Sequence, residues 1–276
     1  MPLALLLFVL FWMLLIGGVI GSFLNVVIYR LPAGLNLSFP PSHCPKCKHP
    51  IRAYDNVPVL GWLWLRGKCR DCHAPISARY PTIEAVCALL FAGLGLVILR
   101  DCPVAELGSQ IVLVAFDFML VSTLLAAGMI EYDGQKVPAK LFVPAILVAL
   151  IFSWNIPPLH PVPYFYPEGT IFAKPGNWHE IWGGGIDAIL GACVAVAAIT
   201  LTPLLSQKQR TGFFAAVITV GLYLGWQIVL TAILVSLPCF SLGRVFRFKI
   251  CPTLWLLVLI LVLIAWVKFL WILPVS

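Results

Sequence analysis

An all-helical, polytopic membrane protein is the fold class this sequence predicts, on three observations. Of its 276 residues 61% are hydrophobic and only 11% charged, so too little polar surface exists to cover a soluble domain. The mean hydropathy is +1.00, and the apolar residues fall in runs of about twenty separated by short polar turns, the length that crosses a bilayer as a helix. Nearly half of the eighteen Lys and Arg residues lie between Arg30 and Arg79, beside the first apolar runs. The positive-inside rule accounts for that cluster, and for the net charge of +7, without a nucleic-acid partner.

The first span runs from near Leu3 to Asn25. It has no basic residue before Arg30 and no small-residue cleavage site ahead of a soluble domain, so it reads as a transmembrane helix and not as a cleaved signal. The basic loop that follows is expected inside, with the N-terminus outside. A second span runs from Pro81 to about Leu99, and Arg100, Asp101 and Pro103 make an external turn before a third, about Leu107 to Ile130. Glu131 to Lys140 is a cytoplasmic hairpin, and a fourth span covers about Leu141 to Trp154. Asn155 to Trp182 is rich in proline and aromatics, too broken to cross the bilayer and suited to its outer interface.

Asp187 follows Gly183-Gly184-Gly185 and is expected to cap a fifth span reaching about Leu205, after which Lys208 and Arg210 mark an inside turn. The apolar run from Phe213 to Leu242 is too long for one crossing, and Gly225-Trp226-Gln227 is the expected external break. Arg244, Arg247 and Lys249 then fall inside, and a last span from Pro252 to about Leu273 gives about eight helices with both termini outside. No internal repeat is evident. The expected division is an N-terminal region, 1–99, carrying a loop at 30–81, and a second region, 100–276.

The chemistry-bearing pattern in the loop is Cys44-Pro45-Lys46-Cys47 and, about twenty residues on, Cys69-Arg70-Asp71-Cys72. Each Cys-x-x-Cys turn presents two sulfurs, and two turns complete a tetrahedral four-thiolate zinc site. Two disulfides, or unpaired thiols at accidental spacing, are the bland alternative, and the reducing cytoplasmic side favours zinc. His43, His49 and His73 lie beside the pairs as possible substitutes, but four cysteines already fill the tetrahedron. The loop has too few apolar residues for a core of its own, so metal would organise it. Asp55, in Tyr54-Asp55-Asn56-Val57-Pro58, reads as a turn or capping residue. Cys87, Cys102, Cys193, Cys239 and Cys251 are scattered without ligand spacing and read as packing residues.

GSFLNVVIYRLP from Gly21 to Pro32, the turn HCPKC, YDNVPVLGWLWLRGKCRDC from Tyr54 to Cys72 and ISARYPTIEA from Ile76 to Ala85 together resemble the N-terminal half of the type IV prepilin peptidase family. The resemblance implies an inner-membrane aspartic protease that, in its bifunctional form, also methylates the new N-terminus. It implies a prepilin or pseudopilin as substrate and S-adenosylmethionine as methyl donor.

An aspartic protease needs two carboxylates that share a proton, one activating water and the other polarising the carbonyl. The family carries the first in a pattern like I-D-x-D-x-x-x-I-P-D. The matching stretch here, Ile130-Glu131-Tyr132-Asp133-Gly134-Gln135-Lys136-Val137-Pro138-Ala139, has Glu131 at the catalytic position and Asp133 at the second acid. The extra methylene of Glu can misplace the attacking water by about 1 Å and cost about a hundredfold. The family's GxGD motif aligns, by way of Leu224-Gly225-Trp226-Gln227, with Arg210-Thr211-Gly212-Phe213, so Phe213 stands where the second catalytic acid belongs. No Asp or Glu follows Asp187, so the deficit is independent of register.

Asp117 shares a helix face with Glu131 but sits about 21 Å along the axis from it, too far to be its partner. An acid inside an apolar span is either a buried functional group or a structural hydrogen-bonder. Three functions follow: a family homologue that has lost proteolysis and keeps the zinc loop, with or without methyl transfer, a non-catalytic binding or assembly factor for pilin-like helices, or an active peptidase using Glu131 with an unrecognised acid.

Overall fold

The computed structural model describes residues 1–155, 188–196, 207–245 and 251–270, and every structural statement below concerns those residues. Asp187 and most of the Pro-rich segment expected over 155–182 lie outside them. Within them the chain is helical, and the only extended pairings are two isolated bridges. Three helices are long and apolar enough to cross a membrane. The chain forms two compact units, Met1–Phe118 and Met119–Ser276.

In the first unit, α1 spans Leu3–Arg30, five residues beyond the expected end because nothing between Val26 and Arg30 breaks a helix. It stops where Pro32 and Gly34 follow, with Gly34 at φ 70° and the Leu35 N–H donating to Arg30 O at 2.9 Å. The short helix α2 is Leu60–Trp64, and α3 is Arg79–Leu99, with Pro81 tolerated in its first turn.

α1 and α3 pack backbone to backbone. A Cβ on Gly17 would stand 2.8 Å from Ala88 Cα, and one on Gly21, a turn later on the same face, 2.8 Å from Glu84 Cα. This is the small-residue stripe by which apolar helices approach when water does not drive them together. Buried Asn25 donates its amide to Tyr80 O at 3.1 Å, so a polar group in the interface is satisfied. α4 is Leu107–Tyr132; in this unit its Phe118 stacks on Phe91 of α3 at 4.0 Å.

In the second unit, α5 is Val143–Asn155, α6 is residues 188–196, α7 is Gln207–Val245 and α8 is Pro252–Leu270. Gly225 interrupts α7 with φ 79° and ψ 175°, at the position where the sequence calls for a break. The buried Tyr223 hydroxyl donates to Ala145 O at 3.1 Å, tying α7 to α5. Gly221 and Gly191 bring the backbones of α7 and α6 so close that neither position has room for a Cβ.

Candidate metal centre and acid site

The two Cys-x-x-Cys segments fold as two copies of one turn. Cys44 N–H donates to His49 O at 2.9 Å, and Cys69 N–H to Ala74 O at 2.8 Å. Lys48 N–H donates to Cys44 O and His73 N–H to Cys69 O, both at 3.0 Å. Ile51 N–H reaches Ser42 O at 2.8 Å, and Ile76 N–H reaches Gly67 O at 2.7 Å. The residue after each second cysteine is left-handed, Lys48 at φ 61° and His73 at φ 55°, and each turn closes on one isolated bridge, His43 to Pro50 and Lys68 to Pro75. Every one of these features recurs at the same offset, so the loop contains an internal repeat, contrary to the expectation of none. Its signature is Cys-x-x-Cys-x-x-Pro-Ile-x-Ala, present from Cys44 and again from Cys69.

The paired turns point four sulfurs at one another. Cys44 Sγ lies 3.7 Å from Cys72 Sγ, Cys47 Sγ lies 3.9 Å from Cys69 Sγ, and all four are within 4.8 Å of one another. Thiolates on one tetrahedral zinc, each about 2.3 Å from the metal, sit about 3.8 Å apart. The separations therefore fit a shared ion and far exceed a disulfide bond of about 2.05 Å; no described cysteine is in a disulfide. The candidate ligand set holds cysteines alone, and His43 Nδ1 is engaged 3.0 Å from Pro41 O. The N–H groups of Cys47 and Lys46 hold the Cys44 thiol down at about 6. Cys47 is pushed up to about 12, where burial and the neighbouring thiols outweigh the pull of the His49 N–H. Thiols this close cannot all ionise unless a cation offsets their charge.

Braces hold the turns, since between Pro32 and Tyr80 only Cys44, Gly61 and Gly67 are buried. Both residues inside the second pair are anchored to the segment between the pairs. Arg70 grips Asp55 in a fork, Nε to Oδ2 at 2.8 Å and a terminal nitrogen to Oδ1, and lies over the Tyr54 ring. Asp71 accepts from Arg52 at 3.2 Å. The hydrogen bond from Arg70 holds the Asp55 carboxyl below the usual range, so the expected turn residue is an ion-pair partner as well. The Arg30 guanidinium ties the loop's entry to Asn36 O, Leu37 O and Pro40 O. The Trp62 indole donates to Ile76 O at 3.0 Å. Val59, β-branched at φ 61°, donates its N–H to Glu84 Oε2 at 2.7 Å. Its strained backbone is held by that carboxylate.

In the second unit Glu131 ends α4, half-buried, and its Oε2 accepts the Thr253 N–H at 3.1 Å. Pro252 opens α8 without an N–H, so Glu131 caps the first free donor of that helix from outside the helix. Leu254 packs where a Cβ of Gly128 would stand, seating α8 on the end of α4. Asp133 is exposed in the turn after α4. Gly212 packs on Val137, where its Cβ would lie 2.7 Å from the valine Cβ. The two segments aligned with the family's acid motifs are thus neighbours, and the residue after Gly212 is Phe213, buried and apolar. Asp117 is buried in α4. The partnership of Glu131 with Thr253 crosses 122 positions, and no sequence spacing signals it.

The Bacterial Peptidase A24 N-terminal domain family model matches residues 15–98. The chain is 33% identical to the prepilin leader peptidase/N-methyltransferase of Aeromonas hydrophila over 244 residues, 79% of this chain and 73% of that one. It is 32% identical to the protein of the same name from Stutzerimonas stutzeri, covering 81% and 75%, and 33% identical to that of Klebsiella pneumoniae, covering 82% and 90%. No solved structure matches the chain.

Proposed function

Since the chain belongs to the prepilin leader peptidase/N-methyltransferase family, we propose that it engages type IV prepilin-like or pseudopilin-like proteins at the bacterial inner membrane with its endopeptidase activity impaired or lost. The observation that carries this reading is the state of the two acid positions. Phe213, buried, stands where the second carboxylate belongs, and the Glu131 carboxylate is engaged at the N-terminus of α8. Cleavage needs one carboxylate to take a proton from water while the other polarises the scissile carbonyl. Glu131 supplies at most the first of these, Asp133 stands in an exposed turn, and a phenyl ring supplies neither.

The four thiolates of Cys44, Cys47, Cys69 and Cys72 hold a structural Zn²⁺, whose binding energy substitutes for the core the loop lacks. The loop lies in the cytoplasm, with about eight spans and both termini outside. Region 1–99 keeps the family's methyltransferase-associated half, for which S-adenosylmethionine supplies the methyl group. Region 100–276 keeps the frame of the protease half without its acid pair.

The test is incubation of the purified protein in lipid with a prepilin, a pre-cleaved pilin and labelled S-adenosylmethionine. The expected result is label on the pre-cleaved pilin and no leader release. Leader release abolished by Glu131→Ala or Asp133→Ala would overturn the loss of proteolysis. Binding of the pilin without label would reduce the function to that of a membrane binding or assembly factor.

A further inference from the structure

Residues 57–65 read Val-Pro-Val-Leu-Gly-Trp-Leu-Trp-Leu, nine positions without a charged, hydroxyl or amide side chain in an otherwise basic and polar loop. They do not build a core. Leu60 is 60% exposed, Leu63 56% and Trp64 80%, and Val57 is exposed as well. A contiguous apolar surface of this kind on a polar domain marks an interaction site.

Its height relative to the spans identifies what it meets. From Leu3 to Gly21 every residue of α1 is apolar or glycine, nineteen positions that extend about 28 Å as a helix, close to the hydrocarbon thickness of about 30 Å. Pro58 packs on Gly18, where an added Cβ would lie 3.3 Å from the proline Cβ, which is inside the apolar stretch and not beyond it. Val59 is held at the same level by Glu84, whose Cα faces Gly21. The chain therefore leaves α1 at Arg30, builds the first thiol pair, and returns toward the spans before building the second. At that level α1 exposes Val19 and Phe23, the surface a membrane-spanning helix turns to lipid. Immediately after the apolar stretch come Arg66 and Lys68.

We propose that residues 57–65, the short helix α2 with its flanks, form an interfacial anchor seated in the lipid leaflet on the loop side of the membrane, with Leu60, Leu63 and Trp64 among the upper acyl chains and Arg66 and Lys68 at the phosphates. Tryptophan at the headgroup boundary with basic residues just outside it is the distribution bilayers select. Lipid is favoured over a substrate helix or a second copy because the patch continues the lipid-facing surface of α1 and is bordered by cations complementary to anionic headgroups. The loop would then be tethered to the bilayer at three places: the ends of α1 and α3, and this anchor. The inference requires only that α1 and α3 cross the bilayer, so it stands or falls apart from any activity.

The full chain in nanodiscs tests it. Emission lost in Trp64→Phe isolates that indole from the other tryptophans. Lipids brominated high on the acyl chain are expected to quench most of this difference emission, lipids brominated near the chain end to quench it less, and aqueous iodide to leave it nearly unchanged. Quenching by iodide and not by brominated lipid would overturn the proposal. A benzophenone amino acid in place of Trp64 gives an independent reading: a lipid adduct is expected, whereas an adduct to a second copy or to an added pilin-like protein would assign the patch to protein. Unchanged metal content in both variants controls for loss of the loop fold.

Discussion

Replacing Glu131 separates a structural carboxylate from a catalytic one. The side chain reaches from the end of α4 to the Thr253 N–H at 3.1 Å, the first donor of a helix whose opening residue is proline. Capping such a donor is worth about 0.5–2 kcal/mol, and the charge set against the helix dipole about 0.3–1 kcal/mol. Glu131→Gln keeps an acceptor oxygen and loses only the charge, so it is expected to cost about 0.3–1 kcal/mol. Glu131→Ala loses acceptor and charge together and is expected to cost about 1–2 kcal/mol. At about 2–4 °C per kcal/mol for a chain of this order of size, the melting temperature falls by roughly 1–4 °C for Gln and roughly 2–8 °C for Ala. Differential scanning fluorimetry of the detergent-purified protein, run beside the prepilin cleavage assay, reads both properties. A Gln variant that melts like wild type yet loses a cleavage activity the wild type possesses would refute the reasoning, because a carboxylate that matters only to chemistry leaves stability untouched.

Cys44→Ser is expected to abolish stoichiometric zinc, measured by elemental analysis, and to open the loop to protease between the two spans it joins; retention of one zinc per chain would contradict the four-thiolate site. Gly61→Ala drives a methyl group into the Asp55 carbonyl and is expected to cost about 1–3 kcal/mol, seen as faster hydrogen exchange across residues 52–76 with the spans unchanged. Asp55 gives a pH signature. Its folded pKa is depressed by Arg70, so its contribution is complete above the ordinary carboxylate range, about pH 4, and is lost as acid carries the pH through the lower folded value. The stability gap between wild type and Asp55→Asn should therefore hold at neutral pH and close under strong acid, since metal loss affects both proteins alike; a gap unchanged at low pH would remove Asp55 from the ion pair.

The long helices were legible because an apolar run of twenty residues has one physical outcome, and Gly225 was legible because glycine at a polar break accommodates φ 79°. Helix ends were less so: α1 runs on to Arg30 because its stop lies in Pro32 and Gly34 and not in the onset of polarity at Asn25. The thiol quartet was readable from spacing alone, since four identical ligands fix their own geometry. What braces it was not, because Arg70 pairs with Asp55 fifteen positions away, a separation that no local spacing rule marks. The repeat is faint in the sequence because the two turns share only Cys, Pro, Ile and Ala, and what repeats is the backbone geometry. At the acid positions the sequence offers an alignment, with Glu131 and Phe213 at the expected acid sites, and the structure adds that Glu131 accepts from the Thr253 N–H.

Two equal turns that share one ion, as proposed, would impose an order on how this protein is made. The first pair of sulfurs leaves the ribosome about twenty-five residues ahead of the second, and two thiolates alone hold a divalent ion far less tightly than four. Capture would therefore wait for Cys72, seven residues before α3 begins. A cross-link closing a ring of that length restricts the unfolded chain by on the order of 3–4 kcal/mol. The clasp would thus shut as the second span is emerging, shortening the tether between α1 and α3 when Gly17 and Gly21 must find Ala88 and Glu84. A chain made without metal would lack that shortened tether when the two helices meet.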